Sequence, residues 1–484
     1  MRTTIVIDPV TRIEGHLQIE VTVDQVGGQL QVVGARSAGT MFRGFEIILI
    51  GRDPRDAVPY TQRICGVCPV PHAMAACLTL ESAFGITPPD NGRILRNLVL
   101  GANFIDSHLL HFYHLSILDY VNTTGLLDQS PWIPRYTTAD MVSGSAAATL
   151  ISHYVTALEM RRKAHQMGAI FGGKLPCVGS FVVGGCTEQV TSEKIADFRG
   201  LLSEVRSFID NVYLADASTL ADRFPGYYQL GRGYGNLLAF GAFDLNASGS
   251  SKLFAPGRYV DGAVAPFDPA QITEYVAYSW YTAACGNKHP SQGLTEPEAD
   301  KLGAYSWTKA PRYASQVYEL GPLARMWVNN QYNRGISAMD RIVARAQEAK
   351  KIADAMNGWL DELVPGAPAY QPSSIPGQAT GVGLTEAPRG GLGHWIQISD
   401  SVISCYQVVT PTSWNGSPRD DLGQSGPIEA ALVGTPVGDV NQPVEVLRVV
   451  HSFDPCLACS VHLVRPGEAV VRARVRQPGR ARRA

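Results

Sequence analysis

Two C-x-x-C pairs near opposite ends of the chain constrain its fold more than any other feature. The first lies in Arg63-Ile-Cys65-Gly-Val-Cys68-Pro-Val-Pro-His72 and the second in Asp454-Pro-Cys456-Leu-Ala-Cys459-Ser-Val-His462. Two-residue spacing lets both sulfurs of a pair turn toward one ion, so the four thiolates suit zinc, an iron–sulfur cluster or a soft divalent ion such as nickel. A zinc ribbon closes its pairs within a few tens of residues. Here nearly the whole chain separates them, which disfavours a purely structural zinc. Neither pair follows the strand–helix pattern of a thioredoxin-like redox motif. If the four sulfurs share one site, both ends of the chain must meet at its centre, and residues 1–462 are expected to form a single integrated unit.

The other cysteines, Cys77, Cys177, Cys186, Cys285 and Cys405, lack mutual spacing, and burial among apolar side chains is their ordinary explanation. Nine cysteines in 484 residues are too few for a disulfide scaffold. Charged residues make up only 17%, below the roughly 25% of an average soluble domain. That deficit implies extensive burial, or a large face covered by a partner. A net charge of -2 gives no reason to expect nucleic acid or an anionic membrane surface as ligand. No run of about 18 apolar residues occurs, so no transmembrane segment is expected. Met1–Val10 is too short, and too soon interrupted by Asp8, for a secretory signal. Outside the cytoplasm, the chain would have to be carried by something else.

Residues 1–40 read as strands, TTIVIDPV, LQIEVTVD and QLQVVGA, with a hairpin turn at Gly27–Gly28. Asn97–Tyr120 carries Leu98, Phe104, Leu109, Leu110, Phe112 and Leu115 around most of its circumference, as a buried helix does. Ser143–Gly168 is Ala-rich, with Arg161, Arg162 and Lys163 toward its end, where they suit the helix dipole. Ser192–Phe224 and Asn330–Leu363 complete the long helices. Residues 225–320, rich in Gly, Pro and aromatics, read as strands and irregular loops, and 364–392 as a Pro/Gly-rich connection. The expected class is mainly α with α+β features: a core of long helices, a β-rich N-terminal segment and a mixed insertion.

R-I-C-G-V-C-x-x-x-H and D-P-C-x-x-C-x-x-H resemble the paired signatures of nickel–iron hydrogenase large subunits. The resemblance continues through Asp8-Pro-Val-Thr-Arg-Ile-Glu-Gly-His16, Phe42-Arg-Gly-Phe-Glu46, His111-Phe-Tyr-His-Leu115, Ala387-Pro-Arg-Gly390 and Tyr406-Gln-Val-Val-Thr-Pro-Thr-Ser-Trp-Asn415, in the family's order. It implies the large-subunit fold and, as activity, reversible heterolytic cleavage of molecular hydrogen to protons and electrons. Cys65 and Cys456 would be terminal thiolates on nickel, and Cys68 and Cys459 would bridge it to an iron carrying carbon monoxide and cyanide. The first proton acceptor would be a cysteine thiolate, assigned to Cys456, and the next Glu14. A carboxylate in a dry site can have its pKa raised enough to relay protons near neutrality.

By the same resemblance, Arg389 would lie over the open metal face, polarising or positioning rather than shuttling protons. Asp454 would pair with it, and Pro388 would stiffen its turn. His72 could donate a hydrogen bond to a sulfur and tune its basicity. Ser107 stands where many relatives have Asp, with Asp106 one place earlier. A step of one along a helix turns a side chain by about 100 degrees, so Asp106 is not expected to substitute. Glu46, the backbone carbonyl of Val408 and His462 match positions that hold magnesium, or iron in its place; a His ligand is atypical for magnesium.

The chain has no further cysteine cluster for electron wiring. The resemblance therefore implies a small subunit carrying iron–sulfur clusters, which would also supply the export signal and membrane contact. Similarity to membrane-bound uptake enzymes in His111–Leu115 and in Tyr305-Ser-Trp-Thr-Lys-Ala-Pro-Arg312 favours hydrogen oxidation, at a membrane, on its periplasmic or outer face. Residues 463–484 carry seven arginines against one Glu and no core-forming period. Family precursors are cut after the His of the second signature once nickel is in place. This basic extension would accordingly be removed by a maturation endopeptidase after nickel-insertion factors have acted. Two other classes share the resemblance: hydrogen sensors of low turnover, which generally lack such a tail, and the quinone-side subunit of respiratory complexes, which has lost the cysteine pairs.

Overall fold

The computed structural model describes residues 2–460 apart from Pro131 and Pro134. His462 and the extension 463–484 lie outside the described residues.

The N-terminal segment is an antiparallel sheet of β1 (Thr3–Ile7), β2 (Leu17–Val26) and β3 (Gln29–Gly39), in that order. Leu17, Ile19, Val21 and Val23 are fully buried while their neighbours in β2 are half-exposed, the period-two pattern of a sheet covered on one face. Gly27 and Gly28 both take positive φ, which makes the two-residue turn that pairs Val26 with Gln29.

Seven helices matter for the site: α1 (Pro69–Phe84), α2 (Asp90–Leu110), α3 (Gly144–Gly172), α4 (Ser192–Phe208), α5 (Pro322–Val328), α6 (Ala338–Glu362) and α7 (Val444–Ser452). α2 packs against both α3 and α6. Every residue from Asn91 to Leu109 is buried, which accounts for its all-round hydrophobicity. It begins earlier than the sequence suggested and runs on into a π-helix, His111–Ser116. α4 likewise continues through a π-helical turn, Ile209–Tyr213, into Leu214–Arg223. α3 extends past Gly168 to Gly172. Arg161 therefore lies well before its end and pairs with Asp106 at 2.8 Å instead of serving the helix dipole.

Residues 225–320 form short strands, 3₁₀ turns and loops, as their composition suggested. The expectation for 364–392 is corrected. Gln378–Ala387 is a strand, β4, antiparallel to β5 (Gly390–Ser399), which pairs in turn with β6 (Val402–Val409). The glycines that suggested a loop are there because β4 lies directly on α1. A Cβ on Gly381 would come within 2.2 Å of the Thr79 carbonyl oxygen, and one on Gly383 within 2.3 Å of that of Ala75. The described residues combine long helices with six small sheets, and both contribute side chains to one buried core.

Gly383→Ala should force β4 away from α1, an overpacking cost of roughly 1–3 kcal/mol. A thermal melt should show a lower Tm than the parent; an unchanged Tm would mean that the helix yields without cost.

Candidate metal centre

The first cysteine pair is built on the start of α1. Pro69 occupies its first position and Gly85, at φ 67°, ends it. Cys68 is the N-cap residue and Cys65 sits in extended backbone just before. Amides at this helix start face the sulfur: Cys65 Sγ accepts from Val67 N–H at 3.3 Å and from Cys68 N–H at 3.1 Å.

The second pair arrives from the other end of the chain. Asp454 turns the backbone at φ 55°, a left-handed conformation that Asp tolerates better than most residues. Cys456 N–H donates to Thr412 Oγ1 at 3.0 Å, and Leu457 N–H to the Glu14 carbonyl at 2.7 Å, so Glu14 and Cys456 form a parallel bridge. Gly15 permits that approach, since a Cβ there would meet Ala458 N at 2.3 Å. Arg43 closes the seam. Its guanidinium donates to the carbonyls of Ile64 and Ala458, the latter at 2.7 Å, each residue immediately preceding a cysteine of a different pair. Nothing in the spacing marks Arg43, although it lies inside a quoted motif, because its acceptors come from segments distant in the chain.

Four buried sulfurs result, all within 4.8 Å of one another. Cys65–Cys456 and Cys68–Cys459 are 3.3 Å apart and Cys456–Cys459 2.9 Å, with every cysteine free. Burial pushes the Cys456 and Cys459 thiols well up. At Cys65 burial acts the same way, but hydrogen bonds from Cys456, Cys459 and Cys68, with the charge of Arg389, outweigh it and hold that sulfur well below the ordinary thiol range. Four thiolates this close can all ionise only around cations. A dry pocket of soft donors fits nickel and iron.

Glu14 is half-buried beside this pocket, its Oε1 accepting Gly66 N–H at 3.2 Å. Burial, and then the charge of Cys65, raise its carboxyl above the usual range. Arg389 is buried; its Nε donates to the Asp454 carbonyl at 2.9 Å and its Nη1 to Ser107 Oγ at 3.4 Å. Its Nη2 lies 2.8 Å from Asp454 Oδ1, off the hydrogen-bonding direction, so that contact is ionic. Ser107 thus meets Arg389, while Asp106 turns to Arg161 and His165, as the helical rotation predicts. Pro388 joins this turn through its carbonyl, which accepts from Arg325 at 2.8 Å.

His72 is buried with Nδ1 3.2 Å from His394 Nε2, and His394 Nδ1 is 2.8 Å from Tyr406 Oη. Burial lowers His72 to about 4, so its ring is neutral. If the phenol donates to His394 Nδ1, then His394 Nε2–H donates to His72 Nδ1 and leaves His72 with a free Nε2–H donor.

Glu46 lies in a short helix, Phe45–Ile48. Its Oε1 accepts Val408 N–H at 2.9 Å and its Oε2 accepts the Thr295 hydroxyl. In an antiparallel strand the N–H and C=O of one residue share an edge, so the Val408 carbonyl faces the Glu46 side. Nearby, Lys309, within the Tyr305–Arg312 stretch, lies 3.3 Å from Glu274 and 3.2 Å from Gln407, a buried charge whose partners the stretch itself does not name. The third residue expected here, His462, lies outside the described residues.

A buried four-sulfur pocket assembled from both ends of one chain defines a thiolate-ligated metalloprotein. Known proteins narrow that class. The sequence profile of nickel-dependent hydrogenases matches residues 43–143, 128–336 and 328–462, and a HoxL-like profile matches 4–34. The chain is 44% identical to the periplasmic [NiFeSe] hydrogenase large subunit of Desulfomicrobium baculatum, over 96% of this chain and 95% of that protein. It is 34% identical to the uptake hydrogenase large subunit of Rhizobium leguminosarum bv. viciae, over 98% and 97% respectively. The reduced Ni-Fe-Se hydrogenase of D. vulgaris Hildenborough superposes with a TM-score of 0.91 at 45% identity, covering 96% of this chain and all of that one. This chain belongs to the nickel-dependent hydrogenase family, as a large subunit. Two of these relatives carry selenium in their names; all four positions of the sulfur pocket here are cysteine.

Arg43→Gln, which cannot reach both carbonyls with charge, should loosen the second pair. Metal analysis of the purified protein should then find less nickel than in the parent, and full nickel retention would remove Arg43 from the closure.

Proposed function

We propose that this large subunit splits molecular hydrogen heterolytically and reversibly, in the uptake direction, and passes electrons to a small subunit carrying iron–sulfur clusters. The observation that carries this reading is four buried sulfurs within 4.8 Å, flanked by a carboxyl of raised pKa. Cys65 and Cys456 would hold nickel, and Cys68 and Cys459 would hold nickel together with an iron carrying carbon monoxide and cyanide. When bound, this pair of metals supplies the Lewis-acid and redox chemistry of the cleavage.

The chain's own residues handle the proton. The Cys456 thiolate accepts it, and Glu14, whose backbone is bonded to Leu457 and whose carboxylate is bonded to Gly66, receives it next. A carboxyl raised by burial can take up and release a proton nearer working pH than an exposed one. Arg389 keeps its charge throughout and so positions or polarises. Asp454 and the Pro388 turn hold it there, and His72 supplies a neutral N–H donor to the sulfur environment.

Glu46, the Val408 carbonyl and His462 are assigned to magnesium, or iron in its place; the two oxygen donors suit a hard ion. Residues 1–462 work as one unit. The extension 463–484 keeps the second pair open for the nickel-insertion factors and is then cut off by a maturation endopeptidase. The periplasmic and uptake names of relatives support co-export with the small subunit to the outer face of a membrane. Among the described residues no helix is long and apolar enough to cross a bilayer, and membrane contact is assigned to the partners.

Metal analysis and infrared spectroscopy of the purified large–small complex test the centre. About one nickel per complex is expected, with iron in excess of it because the small subunit's clusters contribute, together with carbonyl and cyanide stretching bands. Zinc alone without those bands would overturn the assignment. Glu14→Gln keeps an acceptor for Gly66 N–H but carries no proton, so turnover should fall by roughly 10²-fold or more at unchanged nickel content. Turnover at the parent level would take Glu14 off the proton path.

A further inference from the structure

Arg325, in α5, lies outside every motif visible in the sequence, yet it is fully buried and its fork of donors is fully used. Its Nε donates to Glu348 Oε1 at 2.6 Å and its Nη2 to Glu348 Oε2 at 2.7 Å, while Nη1 donates to Glu386 Oε2 at 2.7 Å. The remaining donors go to backbone: Nη1 to the Ala387 carbonyl at 3.0 Å and Nη2 to the Pro388 carbonyl at 2.8 Å. One guanidinium thus grips three consecutive residues, 386–388, directly before Arg389.

Glu348, in α6, has a second attachment. Its Oε2 is 2.7 Å from His108 Nε2, and His108 follows Ser107, whose hydroxyl receives Arg389 Nη1. Base and tip of Arg389 therefore hang on the same carboxylate. The turn has little slack elsewhere, since a Cβ on Gly390 would meet Leu320 Cβ at 2.7 Å. An ion pair that served only to fill the core could be replaced by apolar side chains without loss. It would not need a carboxylate shared with the helix that carries Ser107, the residue that meets the tip of Arg389.

We propose that Arg325 and Glu348 are positioning residues for the hydrogen chemistry, fixing the angle at which Arg389 is presented to the four thiolates. The proposal rests on the role assigned to Arg389 above.

The test is a double-mutant cycle in the large–small holoenzyme. Arg325→Lys keeps the charge and loses the fork. It should lower kcat about tenfold or more, because a misplacement of about 1 Å can cost up to ~10² in rate. KM for hydrogen should stay near the parent value, and the nickel electron paramagnetic resonance g values should move in the sense seen for Arg389→Lys. On the Arg389→Lys background the same change should cost less than about twofold in kcat, since residues acting through one group are non-additive, whereas its loss of Tm should persist. If Arg325→Lys yields no complex, Glu348→Gln, which keeps the side chain's shape, runs the same cycle. Additive kcat losses with an unshifted nickel spectrum would overturn the proposal and leave Arg325 a stability element. A parent complex that contains no nickel by metal analysis would instead overturn the metal-centre reading, and this proposal with it.

Discussion

The repulsion among four buried sulfurs governs the rest of the structure. Two unit charges 4 Å apart repel by about 4 kcal/mol at an effective dielectric of 20, and each sulfur here has three neighbours inside 4.8 Å. Arg389 offsets one charge, and the amides of Val67 and Cys68 soften another. The remainder falls to metal cations. A pocket under such stress keeps its shape only if the surrounding backbone is held independently of the ions. The bonds between Glu14 and Leu457, from Arg43 to both pairs, and from Thr412 to Cys456 supply that hold.

The same device recurs away from the pocket. Arg96 binds both oxygens of Glu81 and the carbonyls of Val182 and Gly185. Arg312 binds Asp420 and the carbonyls of Pro311, Pro418 and Gln424; Arg448 binds Asp140 and the carbonyl of Asp119. In each case a buried guanidinium is neutralised by a carboxylate and uses its other donors on backbone carbonyls, at short strands for Val182, Gly185 and Pro311 and at a helix end for Asp119. Such a side chain helps meet the requirement that buried backbone groups be paired. Part of the small charged fraction of this sequence is therefore inside, tying loops to helices, and low charge content alone does not imply an apolar interior.

What the sequence made legible was local. The C-x-x-C pairs, the Gly27–Gly28 turn and the buried circumference of α2 are each written within a few residues, because one turn or one helical period decides them. The rotation that sends Asp106 away from Arg389 was legible for the same reason. Gln378–Ala387 was not: its glycines obey the proximity of α1, a contact between segments some 300 positions apart in the chain. Arg43, Arg325 and Glu348 were hidden in the same way, since their partners are assembled by the fold and leave no spacing to read. The His394–Tyr406 support of His72 sits between, with both residues in strands whose register, once known, brings them together.

The two halves of the pocket are held by different means. Cys65 and Cys68 sit at and just before the start of α1, which packs on β4 and β5. Cys456 and Cys459 are held chiefly by backbone bonds to Thr412, Glu14 and Arg43, beyond the end of α7. Both halves are nonetheless core: Cys456, Leu457 and Cys459 are buried as fully as Cys65 and Cys68. The bonds to Thr412, Glu14 and Arg43 therefore do for the second half what α1 does for the first, pairing buried backbone groups where no long helix pairs them.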